Sequence, residues 1–276
     1  MNVMMEAKEL KEKINDEEFM ILDVRTKGET NEEGKQAYLQ GHIPGAIFLD
    51  VKKDVTGKNS FLPEADGFAE KLASLGISNR HKIVVYDQGN HRAAAKVWVM
   101  LHYLGHKEVY VLNGGIKAWQ EDKYELTTEI RQKQPTIYHT NLREAVLMSL
   151  EQVKQSLHEK DFTLIDSRSY NRYRGEVEPK YKKAGHIPGA VNYETKQIST
   201  ETGKIKNRSA LKKHFSHLDE SDKIVVSCGS GNSAAVNMLA LKEAGYHNIA
   251  LFSGGFQEWI NDDNNEVATN HEDKRK

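Results

Sequence analysis

The chain has 276 residues, with 39 basic and 40 acidic side chains and a formal charge of −1. A balance so close to neutral offers no bulk positive field to hold nucleic acid or anionic lipid, so a small-molecule partner is expected. The length suits two domains of ordinary size better than one. No segment reaches the roughly 18 uninterrupted apolar residues of a membrane-spanning helix. Residues 1–13 are too charged for a secretory signal, which sets the expected location in the cytoplasm. The single cysteine, Cys228, can form neither an internal disulfide nor, by itself, a structural zinc site. Its role is packing or chemistry.

In chain order, the first apolar run is Phe19-Met20-Ile21-Leu22, followed by Asp23-Val24-Arg25. Gly41-His42-Ile43-Pro44-Gly45-Ala46 comes next, then a run rich in Val and Ile at 83–86 that ends on Asp87. An amphipathic helix is expected over 92–104, closed by Gly105 as a left-handed cap. A strand at 109–112 leads to Asn113-Gly114-Gly115 and Trp119. The whole series then repeats at an offset of about 140 residues. Phe162 to Arg168 again carries Asp-x-Arg, Gly185-His186-Ile187-Pro188-Gly189-Ala190 is unchanged, and Ser253-Gly254-Gly255 precedes Trp259. One unit has been duplicated.

Within each copy the short apolar runs (20–22, 83–86 and 109–112; 164–165, 224–226 and 249–252) predict strands buried on both faces, hence parallel sheets. Helical patterns between them, the second over 233–244 with Gly245 as cap, make the class α/β, with helices flanking each sheet. The domains are expected at 1–125 and 141–276, joined by a polar linker at 126–140 that contains Pro135, with a helix from about Asn141. Residues 168–183, dense in charge, are expected to form an exposed loop, and the polar tail 261–276 to fray.

Cys228 follows the predicted strand and precedes Gly229-Ser230-Gly231-Asn232-Ser233 and a helix start. A strand, a glycine-bearing turn and a helix N-terminus form a cup whose inward N–H groups and partial positive charge stabilise an anion. Thiolate is the nucleophilic form of cysteine, and such a cup favours it. An inert packing cysteine is the other reading. Against it, the first copy keeps the loop as Asp87-Gln88-Gly89-Asn90-His91-Arg92 but carries aspartate where packing alone would favour an apolar residue. The Asp87 loop is therefore read as catalytically idle. A cysteine phosphatase would need an arginine six places after the nucleophile to pair with phosphoryl oxygens. That place is Ala234.

The two Asp-x-Arg strands, the two Gly-His-Ile-Pro-Gly-Ala segments, the Gly-Gly before each Trp and the cysteine in the second copy alone resemble the tandem-domain rhodaneses. That family comprises the thiosulfate and 3-mercaptopyruvate sulfurtransferases. The likeness runs from about Lys8 to Trp259. It implies two rhodanese-like domains, the first inactive and the second catalytic through a Cys228 persulfide. The sulfur would pass from a small anionic donor to cyanide or a thiol, a thioredoxin-like protein among the candidate acceptors. No metal or organic cofactor is implied.

The opening Cys228-Gly229-Ser230-Gly231 resembles the mercaptopyruvate enzymes, whereas Asn232-Ser233 departs from their usual Val-Thr or Val-Ala. By the same resemblance Ser230 and His42 would share proton transfer with an acid; Glu32 and Glu33 are near His42 in sequence, and neither is singled out. Because His186 occupies the same motif in the other copy, the alternative is that both histidines brace a turn. The resemblance also gives Arg172, and Lys180 after Glu178-Pro179, the donor's anionic end; a solvated surface charge is the alternative for each. A non-catalytic, sulfur-binding or scaffolding protein is the competing function.

Overall fold

The computed structural model describes residues 2–26, 32–57, 61–159 and 161–269. The chain divides into two compact units, residues 2–144 with 201–205, and residues 145–200 with the described part of 206–276.

The first unit runs β1 (Met4–Met5), α1 (Ala7–Lys13), β2 (Phe19–Asp23), α2 (Glu32–Gln40), β3 (Ala46–Phe48), α3 (Val51–Asp54), α4 (Ala65–Ser74), β4 (Lys82–Tyr86), α5 (Arg92–Tyr103), β5 (Val109–Leu112) and α6 (Gly115–Glu121). Its strands lie in the order β1-β5-β4-β2-β3, and every pair is parallel. The second unit has α7 (Leu150–Glu159), β6 (Thr163–Asp166), α8 (Tyr170–Tyr173), β7 (Val191–Asn192), α9 (Arg208–His214), β8 (Ile224–Ser227), α10 (Asn232–Ala244), β9 (Ile249–Leu251) and α11 (Gly255–Trp259). Its parallel order is β7-β6-β8-β9.

The apolar runs became inner strands, apart from 249–252, which forms the edge strand β9; in a parallel sheet covered on both faces, both sides of each strand must be apolar. Ile83, Val84, Val85 and Tyr86 are all fully buried, as are Ile224, Val225 and Val226. One face of the first sheet packs Ile21 and Val84 on Leu10 and Trp119. The second sheet repeats this with Leu164 and Val225 on Val153 and Trp259. The expected left-handed caps are present, with Gly105 at φ 83° and Gly245 at φ 110°.

In the second sheet the chain leaves β6 for β7 on one side and returns to β8 on the other. The carboxyl ends of β6 and β8 therefore flank the point where strand order reverses, where α/β sheets open a crevice. Cys228 is the first residue after β8.

Three expectations are corrected. The helix expected from Asn141 begins at Leu150. The Asn141 N–H is tied to Leu104 O and that of Arg143 to Tyr103 O, which holds this stretch on the first unit. Ser149 and Gln152 then form a reciprocal cap, Ser149 N–H to Gln152 Oε1 (2.8 Å) and Gln152 N–H to Ser149 Oγ (3.3 Å). The start of the tail is not frayed: His186 and Ala268 exchange backbone hydrogen bonds of 2.8 and 2.9 Å, and Trp259 Nε1–H donates to Glu266 O. The first copy does the same with His42 and Thr127, and Trp119 Nε1–H donates to Glu125 O. Each buried tryptophan needs an acceptor, and the chain leaving its helix supplies one. Residues 270–276 lie outside the described residues. Finally, the 168–183 segment is not a freely exposed loop. It contains α8, and three of its charges, Arg168, Arg172 and Glu178, are paired inside, as described next.

Candidate active site

Three backbone elements build the Cys228 loop. Strand β8 delivers the cysteine, Gly231 turns the chain at φ 87°, and α10 starts at Asn232. A non-glycine residue would be strained in that left-handed turn. The Gly254-Gly255 pair fastens the loop from behind. Phe256 N–H donates to Cys228 O (2.7 Å) and Gln257 N–H to Gly229 O (3.1 Å), and a Cβ on Gly255 would fall 2.4 Å from Cys228 O. The Gly-Gly signal is thus the imprint of a backbone approach that admits no side chain. Cys228 is 4% exposed, with its thiol free of any disulfide. Ser230 and Asn232 are exposed at the loop's outer side, Gly229 and Gly231 are buried, and Ser233 is half-buried.

The first copy reveals what such a loop holds. Asp87, at the place of Cys228, folds its carboxylate back onto its own loop, where Oδ1 accepts from Gly89 N–H (2.8 Å) and His91 N–H (3.2 Å) and Oδ2 from Ala94 N–H (3.4 Å). A built-in anion fills the first cup. The second loop is one residue shorter, and the N-caps His91 and Gly231 set the match, so the counterparts of the His91 and Ala94 donors are the N–H groups of Gly231 and Ala234.

Beside the second loop, at the end of β6, lies a chain of alternating charges. Asp166 accepts from Arg168 through Nε (3.0 Å) and Nη2 (2.6 Å), and Arg168 Nη2 also reaches Gly185 O (2.6 Å). The Asp23–Arg25–Gly41 O arrangement of the first copy is the same. What the second copy adds is Glu178. Its side chain, 3% exposed, accepts from Arg168 Nη1 (3.2 Å) and from Arg172 through Nε (3.2 Å) and Nη2 (2.7 Å). Burial opposes the charge on Arg172, but the pairing with Glu178 outweighs it and leaves the guanidinium more firmly protonated than usual. Arg172 is therefore not a solvated surface charge; it is a held cation at 19% exposure. Lys180 is exposed, and its backbone N–H donates to Glu178 Oε1 (3.0 Å).

His42 lies in the turn before β3. It is fully buried, stacks on Tyr38 with centroids 4.0 Å apart, and its Nδ1 and Nε2 face Tyr38 O (2.9 Å) and Glu129 O (3.1 Å). His186 copies the arrangement, with Tyr173 stacked at 3.8 Å and Nδ1 2.7 Å from Tyr173 O. In both copies the histidine ring faces backbone carbonyls, the geometry of a brace. Glu32, one of the two acids near it in sequence, bonds Gln36 on its own helix.

Two residues escaped the sequence reading. Glu178 served there only as a landmark in Glu-Pro, and nothing local said that its carboxylate turns inward. Tyr181, in a lysine-rich run, has no motif of its own. Its hydroxyl lies against Gly229 and its ring beneath Arg172, 5.3 Å from the guanidinium carbon.

Comparison with known proteins agrees with this geometry. The Rhodanese-like domain family matches twice, at residues 6–122 and 149–262. A probable 3-mercaptopyruvate sulfurtransferase of Pseudomonas aeruginosa is 33% identical over 95% of this chain and 96% of its own length. The 3-mercaptopyruvate sulfurtransferase of Escherichia coli K12 is 35% identical over 91% and 92%, and the thiosulfate sulfurtransferase of Bos taurus 33% identical over 87% and 84%. The solved E. coli structure of SseA, a 3-mercaptopyruvate sulfotransferase, superposes with a TM-score of 0.81 at 31% identity, covering 93% of this chain and 99% of that one. An anaerobic ergothioneine biosynthesis enzyme from Chlorobium limicola shares the fold, with a TM-score of 0.85 at 20% identity over 97% of this chain and 70% of that one. With two family matches that take in both glycine-fastened loops, and relatives aligned nearly end to end, this chain belongs to the rhodanese family and is a sulfurtransferase of two rhodanese-like domains in tandem.

Proposed function

We propose that Cys228 carries the transferred sulfur as a persulfide, loaded from 3-mercaptopyruvate or thiosulfate and discharged to cyanide or a thiol. In the first half-reaction the Cys228 thiolate attacks the donor's outer sulfur. The S–S bond of thiosulfate or the C–S bond of mercaptopyruvate breaks, and its electron pair leaves on sulfite or on pyruvate enolate, which takes up a proton. In the second, the acceptor attacks the outer sulfur of the persulfide and Cys228 leaves as thiolate.

The observation that carries this reading is the Asp87 carboxylate, which accepts from three loop N–H groups in the first copy. The N–H groups of Gly231 and Ala234, which match the His91 and Ala94 donors, would hold the negative outer sulfur in the same way. They are fixed before reaction, so they stabilise that charge without reorganising. Ser230, exposed at the loop rim, is the proposed hydroxyl partner for the departing donor. Arg172 is the proposed anchor for the donor's anionic end, with Lys180 as a second, looser cation. The Cys-Gly-Ser-Gly opening supports mercaptopyruvate as the better donor. His42 is left out, its ring being engaged at both nitrogens. No helix among the described residues is long and apolar enough to cross a membrane.

The test is intact mass after mixing reduced protein separately with each donor, with Cys228→Ser as control. A gain of one sulfur, about 32 Da, on wild type alone and its loss to cyanide as thiocyanate are the expected results. No gain with either donor would leave the scaffolding alternative.

A further inference from the structure

We propose that Tyr181 is a positioning residue that sets Arg172 relative to the Cys228 loop and so governs how tightly the sulfur donor is held; this rests on the persulfide reading above. Among the described residues, Tyr181 touches both parts of the site. At one end, a Cβ built on Gly229 would come 2.5 Å from the Tyr181 hydroxyl and 3.1 Å from its Cε2. The phenol thus lies directly on the backbone that follows the nucleophile. On its face, the Arg172 guanidinium carbon stands 5.3 Å from the ring centre, within the range of a cation–π contact. The ring's edge meets Phe256, 6.3 Å between centroids, the residue whose N–H holds Cys228 O.

The remaining freedom of Arg172 is small. Glu178 grips its Nε and Nη2, which fixes the guanidinium's edge, while Tyr181 fixes its plane. A planar guanidinium binds a carboxylate or sulfonate well only when its plane is set. Tyr181 is therefore the part that converts a paired arginine into an oriented anion anchor at a defined height above the cysteine. The same contact explains Gly229. It has none of the positive-φ geometry of Gly231, so a side chain there would collide with Tyr181 and push it aside, with no backbone strain of its own.

The test measures the two half-reactions separately on the full chain, following persulfide by rapid-quench intact mass with 3-mercaptopyruvate and with thiosulfate. Tyr181→Ala is expected to raise the donor concentration for half-maximal loading about tenfold, equivalent to ~1.4 kcal/mol. The maximal loading rate should stay within about threefold, and discharge of preloaded persulfide by cyanide within about twofold. Tyr181→Phe, which keeps the ring under Arg172, should recover most of the loss. Gly229→Ala should reproduce the weakened donor binding in the wild type, yet add less than about twofold in the Tyr181→Ala background, because the two changes remove one contact. Unchanged half-maximal loading in Tyr181→Ala, equal losses in loading and discharge, or additive effects of the two substitutions would each overturn the assignment. A wild type that takes up no sulfur at all would overturn it together with the persulfide reading, a result distinct from normal loading by both wild type and Tyr181→Ala.

Discussion

Glu178→Gln probes the structure where it commits most energy beside the site. The Glu178 carboxylate is 3% exposed and accepts from two arginines and from the Lys180 N–H. Glutamine keeps the shape and one acceptor. If that oxygen stays at Oε1, facing Arg172 Nη2 (2.7 Å) and Lys180 N–H (3.0 Å), the new amide takes the place of Oε2. There it would point two hydrogens at Arg168 Nη1 and Arg172 Nε, both 3.2 Å away and both donors. Arg168, 3% exposed, retains Asp166, but Arg172 loses its carboxylate partner. Removing one member of a buried charge pair costs about 3 to 5 kcal/mol, because the other is left uncompensated. Partial solvent access at Arg172 and the surviving Asp166 pair put this case at the lower end, about 3 kcal/mol. Urea unfolding followed by circular dichroism at pH 7 reads the change as a lower midpoint at unchanged slope. Arg172→Met in the Glu178→Gln background should then cost less than in the wild type, since the pair is already broken. A loss below about 1 kcal/mol would refute the reasoning and make the pair no better than a surface salt bridge.

Lys96 is a buried amine in the second turn of α5, 6% exposed, donating to Thr56 Oγ1 (2.7 Å) and lying over Phe61. Burial lowers its pKa to about 8, against about 10.4 for a solvated lysine. The fold thus disfavours the charged form, so stability rises with pH from about 8 to 10.4 as the ammonium is lost from the unfolded chain's advantage. Lys96→Met should raise the unfolding free energy read from urea titration at pH 7 by up to on the order of 3 kcal/mol, with the gap nearly closing by pH 10; an equal gap at both pH values would refute it. His81, His91, His106 and His186 are each pushed below the usual imidazole range, chiefly by burial. Below pH 6.5 the unfolded chain takes up protons that the folded one refuses, so stability should fall as pH drops from 7 to 5, by at most about 1.4 kcal/mol per pH unit per site. His106, held between Tyr138 and His81 O, tests this singly: His106→Gln should melt with a shallower dependence over that window, and a parallel curve would remove His106 from the account.

The sequence by itself determined the duplication, the α/β class, the inner strands and the loop around Cys228. Each of these is written in local chemistry: apolar runs long enough for a doubly covered strand, glycines at positive φ after α5 and α10, and one thiol where the first copy has Asp87. The short edge strands β1, β3 and β7 were not legible, because two or three residues carry no period and are strands only through their neighbours. Residues 168–183 read as a charged surface for a similar reason. Composition counts the charges of Arg168, Arg172 and Glu178 but cannot tell that they neutralise one another inside. The surroundings of His42 were equally hidden, for nothing in the motif says that its ring nitrogens face the carbonyls of residues 38 and 129. The Gly229–Tyr181 contact joins positions nearly fifty apart in sequence. Partners such as these are set by packing across the fold, and only the tertiary structure could decide which charge is held, which ring is engaged and what lies over the cysteine loop.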